Sequence, residues 1–207
     1  MTKIKLCGLT RLCDIETANT LLPEFIGFVF AEKSRRYIHP EAAGALRRAL
    51  DPSVCTVGVF VREKPETVAL LLHEGSIDLA QLHGGEDDSY IAGLRMRTDK
   101  PLIQAFRVDT AADLERAYKS RAEYILLDHG AGGTGSSFNW KLLEGFDRPC
   151  FLAGGLGVDN VREAVTMLHP FAVDVSSGIE TDGLKDREKM QAFVAAVRAA
   201  SDKEGAK

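Results

Sequence analysis

The chain has 207 residues, of which 45% are hydrophobic and 27% are charged, and its formal net charge is −4. This length allows one domain with a sizeable core, and the composition is ordinary for a globular protein. The basic residues form only short pairs, so nothing indicates a nucleic acid partner. The first ten residues lack the apolar region and the small-residue cleavage site typical of a signal peptide, so none is expected. The longest apolar run, residues 25–31, is too short to span a membrane. We therefore expect a cytoplasmic protein.

The cysteines are not arranged to hold a metal. Cys7, Cys13, Cys55 and Cys150 include no Cys-x-x-Cys pair, and the five histidines are scattered, so a zinc site is not expected. In a cytoplasmic protein, four such thiols are expected to be reduced.

Apolar, β-rich runs alternate with amphipathic segments along the whole chain. Strands are predicted at residues 3–7, 25–30, 54–60, 78–82, 101–107, 124–128, 150–153 and 172–176. Helices are predicted at residues 11–22, 40–50, 65–74, 87–96, 110–119, 139–144, 159–168 and 186–200. Eight βα units in strict alternation favour a closed parallel (β/α)8 barrel of the TIM type over an open sheet. We expect one domain over residues 1–200 and a frayed tail over 201–207.

Two small-residue turns follow the last two predicted strands. They are Gly154-Gly155 and Ser176-Ser177-Gly178, and the first leads into a helix. Such turns let backbone N–H groups approach a dianion, and phosphate often binds at this position in these barrels. Ordinary strand-to-helix turns are the alternative, but two neighbouring turns favour a phosphate site.

Cys7 ends the first strand, where side chains alternate between the two faces of the sheet. Ile4 and Leu6 are expected to face the helices, so Lys5 and Cys7 point into the barrel. An ammonium nearby favours thiolate, so we expect Cys7 to titrate below the ordinary value and to serve as a base. A buried, inert cysteine is the alternative.

Asp128 ends the sixth strand, where it could act as a general acid or base. A turn aspartate is the alternative. The glycine-rich segment after it, residues 130–135, is interpreted as a mobile loop over the site or as a flexible linker.

Other polar residues cluster at predicted strand ends. Gln81 and His83 share one face of the fourth strand, although a lone histidine is often structural. The Arg35-Arg36 pair suits a carboxylate, unless it is simply a solvated surface. Asp174 points inward on the last strand and needs a buried partner, for which Lys5 is the candidate.

The sequence resembles the phosphoribosylanthranilate isomerase family of tryptophan biosynthesis from residue 3 to about residue 198. Seven short motifs carry the resemblance in order: KLCGLT at 5–10, SRRYI at 34–38, QLHG at 81–84, LLD followed by GGTG at 132–135, LAGGL, DVSSGIE, and GLKD at 183–186. Two positions differ from the common pattern. Ser34-Arg35-Arg36 stands where Ser-Pro-Arg is usual, and Asp182-Gly183 stands where Pro-Gly is usual.

The resemblance implies a barrel of the ribulose-phosphate-binding type that catalyses an Amadori rearrangement without metal or cofactor. N-(5-phosphoribosyl)anthranilate becomes 1-(2-carboxyphenylamino)-1-deoxyribulose 5-phosphate, and the protein is a monomer or homodimer. By this resemblance Cys7 is the general base, Asp128 is the general acid and Arg36 contacts the anthranilate carboxylate. Gln81, His83 and Asp174 are further candidates for substrate binding. Phosphate binding falls on the two turns described above.

Four other functions compete with this interpretation. One is a bifunctional enzyme that also isomerises the related histidine-pathway aminoaldose, although such enzymes usually have an aspartate in the position of Cys7. Indole-glycerol-phosphate synthase and ribulose-phosphate epimerase use the same type of barrel. The former relies on lysine and glutamate at strand ends, and the latter on paired aspartates and commonly a metal. A non-catalytic sugar-phosphate-binding barrel would bind ligand without turnover.

Overall fold

A computed structural model describes residues 1–128, 140–143 and 145–202. Its eight parallel strands pair in sequence order and close into a barrel, with β1 hydrogen-bonded to both β2 and β8. The strands are β1 Lys3–Cys7, β2 Phe25–Val29, β3 Cys55–Phe60, β4 Leu79–Leu82, β5 Leu102–Arg107, β6 Tyr124–Asp128, β7 Cys150–Leu152 and β8 Ala172–Val175. The predicted barrel is confirmed, and each strand lies within one residue of its predicted bounds.

Helices connect the strands on the outside of the barrel. They are α1 Leu12–Leu21, α2 Pro40–Ala49, α3 Pro65–His73, α4 Asp88–Arg95, α5 Ala111–Lys119, α6 Val161–Leu168 and α7 Arg187–Asp202. α2 and α3 each begin with proline, whose fixed φ suits the first helical position. The helix predicted at 139–144 is a 3-10 turn at Trp140–Leu143, and residues 139 and 144 lie outside the described residues. The predicted loop at 130–135 also lies outside them.

The last helix runs further than predicted. Ser201 is buried and its hydroxyl accepts a hydrogen bond from the Thr2 backbone at 3.2 Å, so Ser201 and Asp202 belong to α7. Residues 203–207, the rest of the predicted tail, lie outside the described part of the chain. No described helix combines the length and the apolar character needed to cross a membrane.

A short hairpin, absent from the prediction, follows β8. Its strands are β9 Glu180–Thr181 and β10 Leu184–Lys185, which pair antiparallel. Asp182 and Gly183 form the turn, with φ of 53° and 80°. Both residues have a left-handed backbone conformation, as in the two-residue Asp-Gly turns that join hairpin strands.

The core has two layers, and one end of the barrel is closed. Ile4, Leu6 and similar residues pack between strands and helices. Inside the barrel a second cluster surrounds Phe25 and Phe151, whose rings lie 5.3 Å apart. Tyr124 and Phe171 stack at 4.9 Å beside them, near the start of their strands. Aromatic side chains therefore fill the N-terminal end of the barrel, and the open end is the C-terminal mouth.

Candidate active site

A cavity of about 410 Å³ lies at the C-terminal mouth of the barrel. Its lining includes every predicted site residue except Gly178: Cys7, Arg36, Gln81, His83, Asp128, Gly154, Gly155, Asp174, Ser176 and Ser177. Gly178 lines an adjoining cavity, together with Gly155 and Ser177. Side chains from five different strand ends or following loops thus meet at one site, because parallel strands of a barrel end at the same face.

Cys7 faces into the barrel at the end of β1, in a small apolar layer with Val29 and Val59. Gly27 on β2 makes room for it, since a Cβ there would lie 2.7 Å from the Cys7 Sγ. This placement agrees with the strand alternation predicted from the sequence.

The expectation of a lowered Cys7 pKa is wrong for this structure. Burial raises the pKa of the thiol, and the nearby Lys5 ammonium offsets this only in part. The reason is that Lys5 is already paired: its Nζ lies 2.9 Å from Asp174 Oδ1, and the Asp174 charge itself disfavours thiolate. The sequence predicted both the cation and its partner, but only the folded structure shows that burial of the Cys7 thiol outweighs the effect of the Lys5 charge.

Lys5 and Asp174 form the buried ion pair that the sequence predicted. They are direct neighbours in the β1–β8 register, and the Lys5 side chain is fully buried while Asp174 reaches the cavity. A buried carboxylate is stable only with such a partner. The pair therefore places the Asp174 carboxylate on the cavity wall that Cys7 also lines.

Asp128 and His83 lie next to each other at the mouth of the barrel. His83 Nε2 lies 3.4 Å from Asp128 Oδ2, and the Gln81 amide nitrogen lies 2.9 Å from His83 Nδ1. The Gln81 side chain thus orients the imidazole ring so that Nε2 points toward Asp128. Both His83 and Asp128 also line a second cavity of about 690 Å³.

Gln81 carries an unpaired acceptor. The residue is 1% exposed, and its Oε1 is buried without a hydrogen-bond partner among the described residues. A buried carbonyl oxygen without a donor is unfavourable by about 1–3 kcal/mol.

The two predicted phosphate turns lie side by side. Gly154 and Gly155 have φ of 88° and 70°, a conformation that side chains disfavour. Gly157 and Gly178 form a parallel bridge between the turns, and a Cβ on Gly178 would lie 2.0 Å from the Leu156 carbonyl oxygen. Glycine at these positions lets the two backbones approach each other directly, just before α6 begins.

Arg36 reaches the cavity from the loop after β2. Its Nε and Nη2 donate to the Glu180 carboxylate at 2.6 and 2.9 Å, and its own backbone N–H donates to the Ser34 hydroxyl. Gly8 lies beneath it, since a Cβ there would lie 2.6 Å from Arg36 Cδ. Arg35 is 71% exposed and lines the adjoining cavity instead. The geometry therefore favours Arg36 over Arg35 as the ligand-facing arginine.

Sequence reasoning assigned no role to Glu180 and Lys185. Lys185 Nζ lies 2.6 Å from Glu180 Oε1, and both side chains are nearly inaccessible. Both residues fall within motifs of the family resemblance, and the Asp182-Gly183 dipeptide between them is a hairpin signal.

Within the described residues, no three His, Cys, Asp or Glu side chains are grouped to hold a metal ion.

Comparison with known proteins identifies the family. A family model described as N-(5'-phosphoribosyl)anthranilate (PRA) isomerase matches residues 4–196. The N-(5'-phosphoribosyl)anthranilate isomerase of Endomicrobium trichonymphae is 44% identical over 194 residues, covering 92% of this chain and 95% of that protein. The crystal structure of phosphoribosyl anthranilate isomerase from Thermotoga maritima is 37% identical with a TM-score of 0.89, over 96% of this chain and 100% of that one.

A further isomerase structure contains a ligand, reduced 1-(o-carboxyphenylamino)-1-deoxyribulose 5-phosphate. That protein is 36% identical, with a TM-score of 0.86 over 96% of this chain and 100% of its own. The family model extends over nearly the whole chain, and the relatives share more than a third of its residues over that length. The chain belongs to the N-(5'-phosphoribosyl)anthranilate isomerase family.

Proposed function

We propose that this protein isomerises N-(5'-phosphoribosyl)anthranilate to 1-(o-carboxyphenylamino)-1-deoxyribulose 5-phosphate in tryptophan biosynthesis. The observation that carries the proposal is one cavity lined by Cys7, Asp128, Arg36 and both glycine-rich turns. It offers an acid, a base, and separate positions for a carboxylate and a phosphate. Family membership supplies the reaction, and the cavity supplies groups that suit each of its steps.

The acid and the base lie on strands that face each other across the mouth. β1 and β6 are separated by β7 and β8 on one side and by four strands on the other. A sugar between them can be protonated on one side and deprotonated on the other. Asp128 protonates the furanose ring oxygen as its bond to C1 breaks, which gives the open-chain Schiff base. The Cys7 thiolate then removes the proton from C2, and the resulting enolamine tautomerises to the ketone.

Binding at both ends fixes the sugar between these groups. The phosphate is placed at the turns after β7 and β8, and the anthranilate carboxylate at Arg36. Gln81 lines the same cavity and is placed to contact the sugar between the two ends. Holding the substrate in this way converts acid–base steps that are slow in solution into steps between fixed neighbours.

We also propose that the protein acts as a monomer or a homodimer. Among similar structures is one of monomers generated from the dimeric enzyme of Thermotoga maritima. That this protein has no membrane or nucleic acid partner stays a prediction, and we propose that it acts in the cytoplasm. That it also needs no metal or cofactor stays a prediction.

The test is a fluorescence assay with the anthranilate substrate made in situ. Wild type should consume the substrate, and Cys7→Ala and Asp128→Ala should each lower kcat by roughly 10²–10⁴-fold, the usual contribution of a general acid or base. Cys13→Ala and Asp99→Ala are matched controls, because both residues are exposed, and they should behave as wild type. Ligand binding by wild type without turnover would contradict the proposal and favour a binding protein.

A further inference from the structure

The hairpin after β8 carries a buried ion pair next to the site. Glu180 and Lys185 are paired residues of β9 and β10, with side chains 5% and 2% exposed and 2.6 Å between Nζ and Oε1. Two charges this deeply buried need further partners to offset their lost hydration. The positions of those partners indicate the role of the ion pair.

Glu180 binds the ligand-facing arginine. Its two carboxylate oxygens accept from Arg36 Nε and Nη2 at 2.6 and 2.9 Å, a parallel two-bond geometry that fixes the plane of the guanidinium. Nη1 is left outside this fork, and Arg36 lines the cavity. Glu180 therefore determines how Arg36 is presented to a ligand, across 144 residues of sequence.

Lys185 binds the other end of the site. Its Nζ donates to the Ser176 carbonyl oxygen at 2.9 Å and lies 3.3 Å from the Ser176 hydroxyl oxygen. That hydroxyl in turn donates to the Cys7 carbonyl oxygen at 3.2 Å. One ion pair thus joins Arg36, the turn at Ser176 and the end of β1.

Neither member of the pair lines the cavity itself, so both act through residues that do. We propose that Glu180 and Lys185 are positioning residues that set the distance and orientation between the carboxylate-binding Arg36 and the phosphate-binding turn at Ser176. The inference rests on the proposed function, because it assigns one anionic group of the substrate to each end. It makes the hairpin a determinant of specificity for a ligand that carries a carboxylate and a phosphate at a fixed separation.

An ordinary structural ion pair would also hold the hairpin against the barrel, so the test must separate the two roles. Glu180→Gln keeps the side-chain shape and removes the charge that orients Arg36. We expect KM for the anthranilate substrate to rise about 10- to 100-fold, as for a binding group displaced by about 1 Å, with a smaller change in kcat. Inhibition by ribose 5-phosphate, which lacks the carboxylate, should change by less than about twofold, well short of a tenfold, 1.4 kcal/mol effect. Glu188→Gln is the matched control on the exposed start of α7.

A double-mutant cycle tests whether Glu180 acts through Arg36. In an Arg36→Met background, Glu180→Gln should have no further effect on KM, because the group that it orients is gone. Equal losses in both backgrounds, or equal weakening of substrate and ribose 5-phosphate, would overturn the inference in favour of a structural role.

Two further measurements keep the outcome readable. If Glu180→Gln unfolds, the double variant Glu180→Met/Lys185→Met can be used instead. It removes both charges together, a change that buried pairs commonly tolerate. The double variant should remain folded but lose affinity for the substrate. Binding of reduced 1-(o-carboxyphenylamino)-1-deoxyribulose 5-phosphate gives a readout independent of turnover. An inactive wild type would refute the proposed function, whereas an active wild type with unchanged KM and binding in these variants would refute only the role of the pair.

Discussion

Replacing Lys5 by methionine is expected to destabilise the barrel strongly and to disturb the site at the same time. Lys5 is fully buried, and its ammonium lies 2.9 Å from Asp174, whose carboxylate reaches the cavity. Methionine fills a similar volume but leaves Asp174 as a buried charge without its cation. The loss therefore comes from the unpaired carboxylate rather than from a void.

The size of the effect follows from the burial of the pair. Removing one partner of a buried ion pair destabilises a protein by about 3–5 kcal/mol. For a domain of this size each kcal/mol shifts Tm by about 2–4 °C, so the expected decrease is about 6–20 °C. Burial alone would lower the Lys5 pKa, but Asp174 and Cys7 more than offset this, and the net pKa is raised. The stabilisation is thus fully present below about pH 10.4, the unfolded value, and is lost only above it.

The assay is thermal and urea unfolding at pH 7 of wild type, Lys5→Met and Lys5→Met/Asp174→Leu. The double variant removes both charges and should recover much of the lost stability, because an apolar pair can replace a buried ion pair. Its activity should stay low, since the cavity has lost its Asp174 carboxylate. A Tm decrease below about 2 °C in the single variant, under 1 kcal/mol, or a double variant no more stable than the single, would refute the reasoning.

Three other predictions concern the site directly. Burial raises the Cys7 pKa, so kcat/KM should keep rising with pH beyond about 8.5, where an ordinary thiol titrates. Cys7→Asp should remove this pH dependence. A plateau of kcat/KM from pH 7 upward would contradict the raised pKa. His83→Asn removes the imidazole that faces Asp128. It should lower kcat by about tenfold, the equivalent of one hydrogen bond, and leave KM nearly unchanged. A change in KM alone would indicate that His83 binds the substrate instead. Gly178→Ala would place a Cβ 2.0 Å from a backbone oxygen. Ribose 5-phosphate should therefore bind at least about tenfold more weakly, a loss of at least 1.4 kcal/mol. The control Gly93→Ala should bind it normally, because the added Cβ there would meet no surrounding atom within 4 Å.

Local pattern was sufficient to predict the barrel and the faces of its strands. Apolar runs buried on both sides, each followed by an amphipathic segment, have few solutions other than helices packed around a parallel sheet. The side-chain alternation in β1 then placed Lys5 and Cys7 inside, and the adjoining β8 supplied Asp174 as the partner of Lys5. These inferences needed only neighbouring residues or neighbouring strands.

The hairpin at Glu180–Thr181 and Leu184–Lys185 was not predicted, although its Asp-Gly turn is a recognised signal. Its strands have two residues each, too few to display a period of hydrophobicity. The bond from Glu180 to Arg36 joins residues 144 positions apart. No local pattern contains such a contact.

The sequence by itself determined the architecture, the family and which end of the barrel carries the polar strand ends, because these depend on periodicity and on the order of short motifs. Only the tertiary structure decided the electrostatic state of the site. It showed that burial of the Cys7 thiol outweighs the effect of the neighbouring Lys5 charge and raises the pKa of Cys7, and that Arg36 is held by Glu180. Charges act through space at a few ångströms, and the chain brings these residues to that distance only when the barrel closes.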